Sequence, residues 1–284
     1  MACPGCGGEL GAPVDYPGAG RWAKSAISVE RIVLCARCGL GVAEPRPTQA
    51  ALDAFYAGGG YWHEAGDHPA ASAHARNQCR HRVRRVGAQM RLGRGIRVLD
   101  VGAGEAWIGD AVATRAYDFV EPDASLRECA ARRLGEGRRG FASLDEVGGG
   151  YDLVFLNQVL EHVAEPRSFL EAMAARLAAG GLLYVEVPYA DYRFKSDVFP
   201  HTLFFTPGAL QRAAESAGLT TLACESFGSL PERAPAPARV AGKVALRLGA
   251  ALGLAPLANA GDDLLFGYTT RPDGIWVRWL GRRA

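Results

Sequence analysis

The sequence lacks a long hydrophobic run. The longest uncharged apolar stretch toward its end, Leu248 to Gly261, falls short of the about 20 residues that a helical membrane span needs, and it contains Pro256. The start of the chain, Met1-Ala2-Cys3-Pro4-Gly5-Cys6, has no basic segment followed by an apolar one, so no secretory leader is expected. Charge of one sign is also scarce. With 32 Lys and Arg against 30 Asp and Glu, the net charge of +2 gives no global pull toward nucleic acid or a membrane surface. These absences predict a cytoplasmic protein with no membrane span, and they argue against nucleic acid as a partner. In a reducing compartment the seven cysteines should stay reduced or bind metal rather than pair.

What is present is enough chain, at 284 residues, for one large core or for a core with a small appendage. The first feature is a metal pattern. Cys3-x-x-Cys6 and Cys35-x-x-Cys38 each sit in a glycine-containing turn. A two-residue spacer lets one tight turn aim two sulfurs at one ion, and two such turns close a tetrahedral shell of four thiolates, the set Zn2+ prefers. Residues 1–45 therefore read as a small zinc-ribbon module, with Ile27 to Leu34 supplying a hairpin strand. A closed four-sulfur shell has no position for water, so this zinc is expected to be structural. Cys79, Cys129 and Cys224 are isolated and read as small core or surface residues.

Residues 46–95 read as a helical connector. Glu44-Pro45-Arg46-Pro47-Thr48 marks a boundary, and Thr48 is placed to cap a helix carrying Ala50, Leu52 and Phe55. Tyr56 to His63 sets flexible glycines between aromatics, which suits either a lid or a loop packed on one side. Arg76 to Arg97 holds eight arginines and no acid. On a helix Arg76, Arg80 and Arg84 share a face, as do Arg82 and Arg85. Such a run serves either an anionic group or plain solvation.

From residue 96 to 284 the pattern alternates strands and helices, which predicts an α/β, doubly wound sheet. Its pivot is Val98-Leu99-Asp100-Val101-Gly102-Ala103-Gly104: a buried strand, then a turn through two glycines into a helix over 107–114. The third glycine of a dinucleotide fingerprint is missing, and Ala106 stands near its place. A second strand, 116–120, closes in Glu121-Pro122-Asp123, which puts Glu121 where an acid accepts from a ribose diol. Further strands are expected at 139–142, 151–157, 182–187, 220–225 and 263–269. Helices are expected at 124–134, from Pro166 to a stop at Gly180-Gly181, at 208–217 and at 240–254, the last covering a pocket. Residues 231–237 read as a loop. Asn157, Gln158 and His162 fall at the carboxyl edge of the 151–157 strand, where open α/β sheets bind ligands.

Val98 to Gly104, Val120 to Asp123, Tyr151 to Val154 and Val159-Leu160-Glu161-His162-Val163 resemble motifs of class I S-adenosylmethionine (SAM) methyltransferases. Glu186-Val187-Pro188 and the stretch His201 to Leu210, ending in Ala217-Gly218-Leu219, are similar to the later part of a branch that methylates small molecules. The two-CxxC front with its tyrosine-rich linker is similar to the front of sugar C-methyltransferases, which are longer. The resemblance implies a mostly parallel, seven-stranded, Rossmann-like sheet behind the zinc ribbon. It implies SAM as cofactor and methyl transfer to an O or C atom of a small metabolite such as a sugar, an aromatic or a natural-product intermediate. On this reading Gly102, Gly104, Glu121, Asn157 and Gln158 hold the cofactor, and Tyr61 and Trp107 are placed to face its sulfonium. His162 and His201 are the candidate general bases. Two other readings stand beside it. One is a zinc-ribbon rRNA or tRNA methyltransferase, whose RNA binding would weaken steeply with salt. The other is a non-catalytic scaffold with this fold.

Overall fold

The computed structural model describes residues 2–24, 27–57 and 69–283. The chain begins with three antiparallel strands, β1 (Leu10–Asp15), β2 (Arg31–Cys35) and β3 (Gly41–Glu44). Helix α1 (Gln49–Ala57) follows, and the Thr48 side chain accepts from the Ala51 N–H at its start, as the sequence predicts. Helix α2 (Pro69–Gly87) then carries the first five arginines of the basic run.

The main sheet comes next in the chain. Strands β4 (Val98–Val101), β5 (Tyr117–Val120), β6 (Arg138–Phe141), β7 (Tyr151–Asn157) and β8 (Leu177–Pro188) alternate with helices α3 (Ile108–Ala111), α4 (Ala124–Leu134) and α5 (Pro166–Arg176). All four residues of β4 and of β5 are buried, as expected of central parallel strands covered on both faces. Asp123 caps α4 by accepting from the Ser125 and Leu126 N–H groups, and Pro166 opens α5 at its first turn. A short strand β9 (Leu203–Phe204), helix α6 (Pro207–Ser216), β10 (Leu219–Phe227), the helical pair α7 (Ala236–Ala251) and α8 (Ala255–Phe266), and β11 (Trp276–Arg283) complete the chain. The seven strands lie in the order β10-β11-β8-β7-β4-β5-β6, with only β11 antiparallel to its neighbours. This is the expected doubly wound, mostly parallel sheet.

The front of the chain is built into the body. β9 adds a fourth strand to the small sheet beside β3, with Gly41 opposite Phe204 and Val42 opposite Leu203. Cys3, Cys35, Cys38 and Leu40 share one core with Phe205, Leu210 and Ala213. A Cβ at Gly41 would lie 3.0 Å from both Ile32 Cγ2 and Phe204 Cβ, so the small residue sets how closely this strand is packed.

Several expected elements fall elsewhere. Residues 263–266 end helix α8 instead of starting a strand, and the last strand is Trp276–Arg283. Three glycines make the difference. A Cβ at Gly249 would sit 2.3 Å from Ala258 N, and one at Gly261 2.4 Å from Leu246 N, while Gly242 faces the Gly261 carbonyl. The two helices can therefore touch almost backbone to backbone. Arginines disguise β11: Arg278 tucks over the Phe227 ring and pairs with Glu225 at 2.8 Å, while Val277, Trp279 and Leu280 are buried. Helix α3 covers only Ile108–Ala111 of the expected 107–114. Helix α5 stops at Arg176, and β8 runs on through Gly180 and Gly181. The expected 231–237 loop is cut short because α7 starts at Ala236, with Pro237 tolerated in its first turn.

Candidate active site and metal centre

At the carboxyl edge of the sheet β4 gives way to Gly102-Ala103-Gly104. Both glycines hold positive φ, +66° and +54°. A Cβ at Gly102 would meet Val159 Cγ2 at 2.5 Å, whereas nothing lies within 4 Å of one at Gly104. Gly102 is thus needed for packing, and Gly104 leaves the backbone open to a ligand. Ala106, in place of the missing glycine, is buried and also held at positive φ, +54°. A residue with a Cβ in that region carries about 1–2 kcal/mol of strain.

Glu121 follows β5 and faces this turn. Its carboxylate accepts from the Gly104 N–H at 2.7 Å and from the Asp123 N–H at 3.0 Å. Burial pushes its pKa up, and the two backbone bonds oppose that rise. On the other side of β4, Asn157 Nδ2 donates to Asp100 Oδ1 at 3.5 Å. The Asn157 Oδ1 is buried with no hydrogen-bond partner among the described residues. Asp100 is pushed up to about 7 by burial, although Tyr117 donates to it at 2.8 Å. Gln158, at φ +57°, reaches Glu186 Oε1 at 3.4 Å. Glu186 in turn accepts from Arg82 of α2 at 2.5 and 3.1 Å and from Tyr184 at 2.9 Å.

A family model described as a methyltransferase domain matches residues 71–223, more than half of the chain. This chain belongs to the methyltransferase domain family. A ubiquinone biosynthesis O-methyltransferase of Ruegeria sp. (strain TM1040) is 27% identical over 157 residues, 47% of this chain and 64% of that protein. The enzyme of the same name from Caulobacter sp. (strain K31) is 34% identical over 101 residues, 32% of this chain and 40% of the relative. The chain therefore spans less than two thirds of the length of these curated relatives. In fold it is similar to a chain from a complex between the Haloferax volcanii Trm112 methyltransferase activator and a methyltransferase. The TM-score is 0.54 at 18% identity, covering 81% of this chain and 96% of that one.

In this chain a second cluster stands beyond β7, on the turn that carries Val159 against Gly102. The rings of His162 and His201 are 5.0 Å apart, centre to centre. His162 Nδ1 lies 2.7 Å from the Tyr56 hydroxyl of α1, and His201 Nδ1 lies 3.1 Å from Asp191 Oδ2. Burial, and then His201, hold the His162 pKa well below its ordinary value, so its imidazole is neutral. Burial would raise Asp191, but His201 and Lys195 bring it below the usual carboxylate range. Glu161, 1% exposed, has neither carboxyl oxygen hydrogen-bonded among the described residues, and burial pushes its pKa far up.

The four cysteines of the paired motifs come together. Cys3 and Cys38 Sγ are 3.7 Å apart, Cys6 and Cys35 Sγ are 3.6 Å apart, and all four sulfurs lie within 4.8 Å of one another. Four sulfurs about 2.3 Å from one tetrahedral ion would be spaced by about 3.8 Å. The cluster therefore fits Zn2+.

The structure thus groups Gly102, Gly104 and Glu121, sets Asn157 and Gln158 on the neighbouring strand end, and brings His162 to His201. Tyr61 lies outside the described residues. Trp107 is engaged elsewhere: Arg76 and Arg133 guanidinium groups lie over its ring at 4.6 and 4.0 Å. Sequence reasoning missed Arg82, Glu161, Glu186 and Asp191 as parts of the site. Glu161 was within reach, being the neighbour of His162 in the motif. The Arg82–Glu186 and Asp191–His201 pairs join distant parts of the chain and leave no local signal.

Proposed function

We propose that this chain transfers the methyl group of SAM to an O or C atom of a small metabolite. The observation that carries the reading is the Glu121 carboxylate fixed on the Gly104 N–H at the carboxyl edge of β4 and β5. Each Glu121 oxygen takes one backbone N–H, which leaves a lone pair on each for the two hydroxyls of a ribose. The open face of Gly104 and the unpartnered Asn157 Oδ1 support a polar cofactor there. When bound, SAM supplies an electrophilic methyl group on a sulfonium.

The protein's own part is orientation, holding the acceptor in line with that methyl group. Gly104 lets the backbone approach the cofactor, and Gly102 lets the turn pack against Val159. Asn157 and Gln158 bind toward its amino-acid end. Neutral His162 accepts the proton that the acceptor loses as the new bond forms, with Tyr56 fixing its ring. His201, whose Nδ1 stands 3.1 Å from Asp191 Oδ2, is the second candidate base. The names of the similar proteins favour oxygen as the acceptor atom. Residues 1–45 form a module that a structural Zn2+ holds on Cys3, Cys6, Cys35 and Cys38, helices α1 and α2 of the 46–95 connector join the site through Tyr56 and Arg82, and 96–284 form the catalytic unit. A cytoplasmic setting suits four cysteines that bind metal and do not pair as disulfides.

Calorimetric titration of the purified, zinc-replete protein with SAM and with its demethylated product tests this. Micromolar binding of both is expected. A folded, zinc-loaded protein that binds neither overturns it.

A further inference from the structure

We propose that the α7–α8 hairpin docks this protein on an anionic phospholipid surface. Among the described residues, every exposed large hydrophobic side chain except Leu222 lies within residues 240–264. On α7, Val240, Val244 and Leu248 follow one another at four-residue spacing, 61%, 50% and 51% exposed, so they form one outward stripe. The hairpin tip continues it with Leu252 and Leu254, 66% and 49% exposed, and Leu257. These side chains do not serve the core. The inner face of the hairpin is already closed by Gly242, Gly249, Gly261, Leu246 and Leu265.

The charge beside this surface decides the occupant. Arg239, Lys243 and Arg247 flank the stripe, each one position before an exposed apolar residue. No acid occurs from 234 to 261. Against the other side of the tip, a groove of about 520 Å³ opens between α2 and α8. It is lined by Arg80, His81 and Arg84 together with Ala255 and Pro256 of the tip, and by Asp263, which is occupied with His81 at 2.8 Å. Arg80 and Arg84 are exposed and have no acidic partner among the described residues. An uncharged apolar tip between cationic flanks is the composition of an interfacial helix. Its apolar side chains sink to the acyl boundary while Lys and Arg meet lipid phosphates. A second copy of the chain fits poorly: a two-fold contact would set the same cationic flanks against each other with no acid between them. The inference stands apart from the methyl-transfer reading, because none of these side chains belongs to the site.

The test is co-sedimentation of the full, zinc-replete chain with vesicles of phosphatidylcholine alone and with phosphatidylglycerol added. Binding is expected only with the anionic lipid, and it should fall as salt rises. Two variants separate the parts: L252S/L254S/L257S and R80Q/R84Q/K243Q. Each should lower vesicle binding by at least about tenfold while the thermal unfolding of these surface variants stays unchanged. Absence of binding to the anionic vesicles overturns the proposal, as does binding that neither variant weakens. A concentration-dependent dimer that the leucine variant abolishes, without vesicle binding, assigns the face to a second copy instead.

Discussion

The hydroxyl of Tyr56 lies 2.7 Å from Nδ1 of His162, joining helix α1 of the connector to the turn that follows β7. The other ring nitrogen, Nε2, lies 3.9 Å from Glu161 Oε1. Replacing a general base of this kind costs about 10²-fold or more in turnover, and His162→Ala should show it. Tyr56→Phe removes only the orientation, so the loss should be smaller, about tenfold, with the affinity for SAM intact. Burial and His201 hold the His162 pKa well below 6.5. The neutral base is therefore already fully present at pH 6.5, and kcat/KM should stay level from pH 8 down to 6.5. A fall centred near the ordinary histidine value would show that His162 is not the base.

Glu121→Ala should weaken binding of SAM and of its demethylated product together. Losing two charge-assisted hydrogen bonds to a ribose raises Kd by at least about 100-fold. Glu121→Gln keeps the acceptor oxygen and should lose less. Calorimetry reads both, and unaltered binding in the alanine variant would place the cofactor elsewhere.

Asp100 carries a stability prediction with a definite sign. Its folded pKa, about 7, lies above that of a carboxyl in the unfolded chain, about 3.9. The folded state holds the proton more tightly, so this group's contribution to stability is full below pH 4 and is lost as pH rises toward 7. Asp100→Asn cannot titrate and keeps an acceptor for Tyr117. Relative to the natural protein it should gain stability between pH 4 and pH 7, by a few kcal/mol, and gain no more above that. Denaturant unfolding at pH 5, 7 and 8 measures the difference, and a constant offset between the two proteins contradicts it.

The four thiolates close a site that is continuous with the main core, since Cys3, Cys35 and Cys38 pack with Leu210 and Ala213. Chelation or Cys38→Ser should therefore release one zinc per chain and lower the melting temperature of the whole body, not only of the first 45 residues. Structural zinc couples its binding free energy to folding. The β3–β9 pairing should fray as well, seen as faster amide exchange at Val42 and Leu203. Loss of zinc with an unchanged melting temperature would show that the module is decorative.

The parts of this molecule that were legible from sequence are those whose physics is local. Two thiolate pairs at two-residue spacing, the buried run Val98–Val101 closed by glycines, and Glu121 at the next strand end all state their geometry within a few residues. The apolar run Tyr151–Asn157 does the same for a central strand. The misplaced strand at 263–269 shows the limit. Residues 262–266 satisfy no strand rule strongly, and their helix is fixed by distant glycines and by Asp262. That carboxylate is buried against His74 at 2.6 Å, Asn77 at 2.9 Å and Tyr268 at 2.6 Å. Likewise, the helical period sets Arg82 and Arg80 on different faces of α2 but does not say that the Arg82 face is the buried one, at 8% exposure, while Arg80 is exposed. Only the placement of Glu186 at the end of β8 does so.

That pair makes the sharpest energetic prediction. Arg82 and Glu186 are both buried, and Glu186 also takes the hydroxyl of Tyr184 and the amide of Gln158. Glu186→Ala leaves a guanidinium buried without its counter-charge, which costs about 3–5 kcal/mol. The double replacement Arg82→Met with Glu186→Leu removes both desolvated charges and should recover most of that loss, since buried ion pairs gain little over apolar packing. The comparison separates two roles. If the pair only ties α2 to the sheet, the double variant is stable and binds SAM normally. If Arg82 and Glu186 also orient Gln158 toward the cofactor, the double variant is stable but its affinity for SAM falls by about tenfold or more, the loss of one well-placed hydrogen bond. The second outcome is expected, because Gln158 is held at positive φ with its amide on Glu186, an arrangement that packing alone does not require.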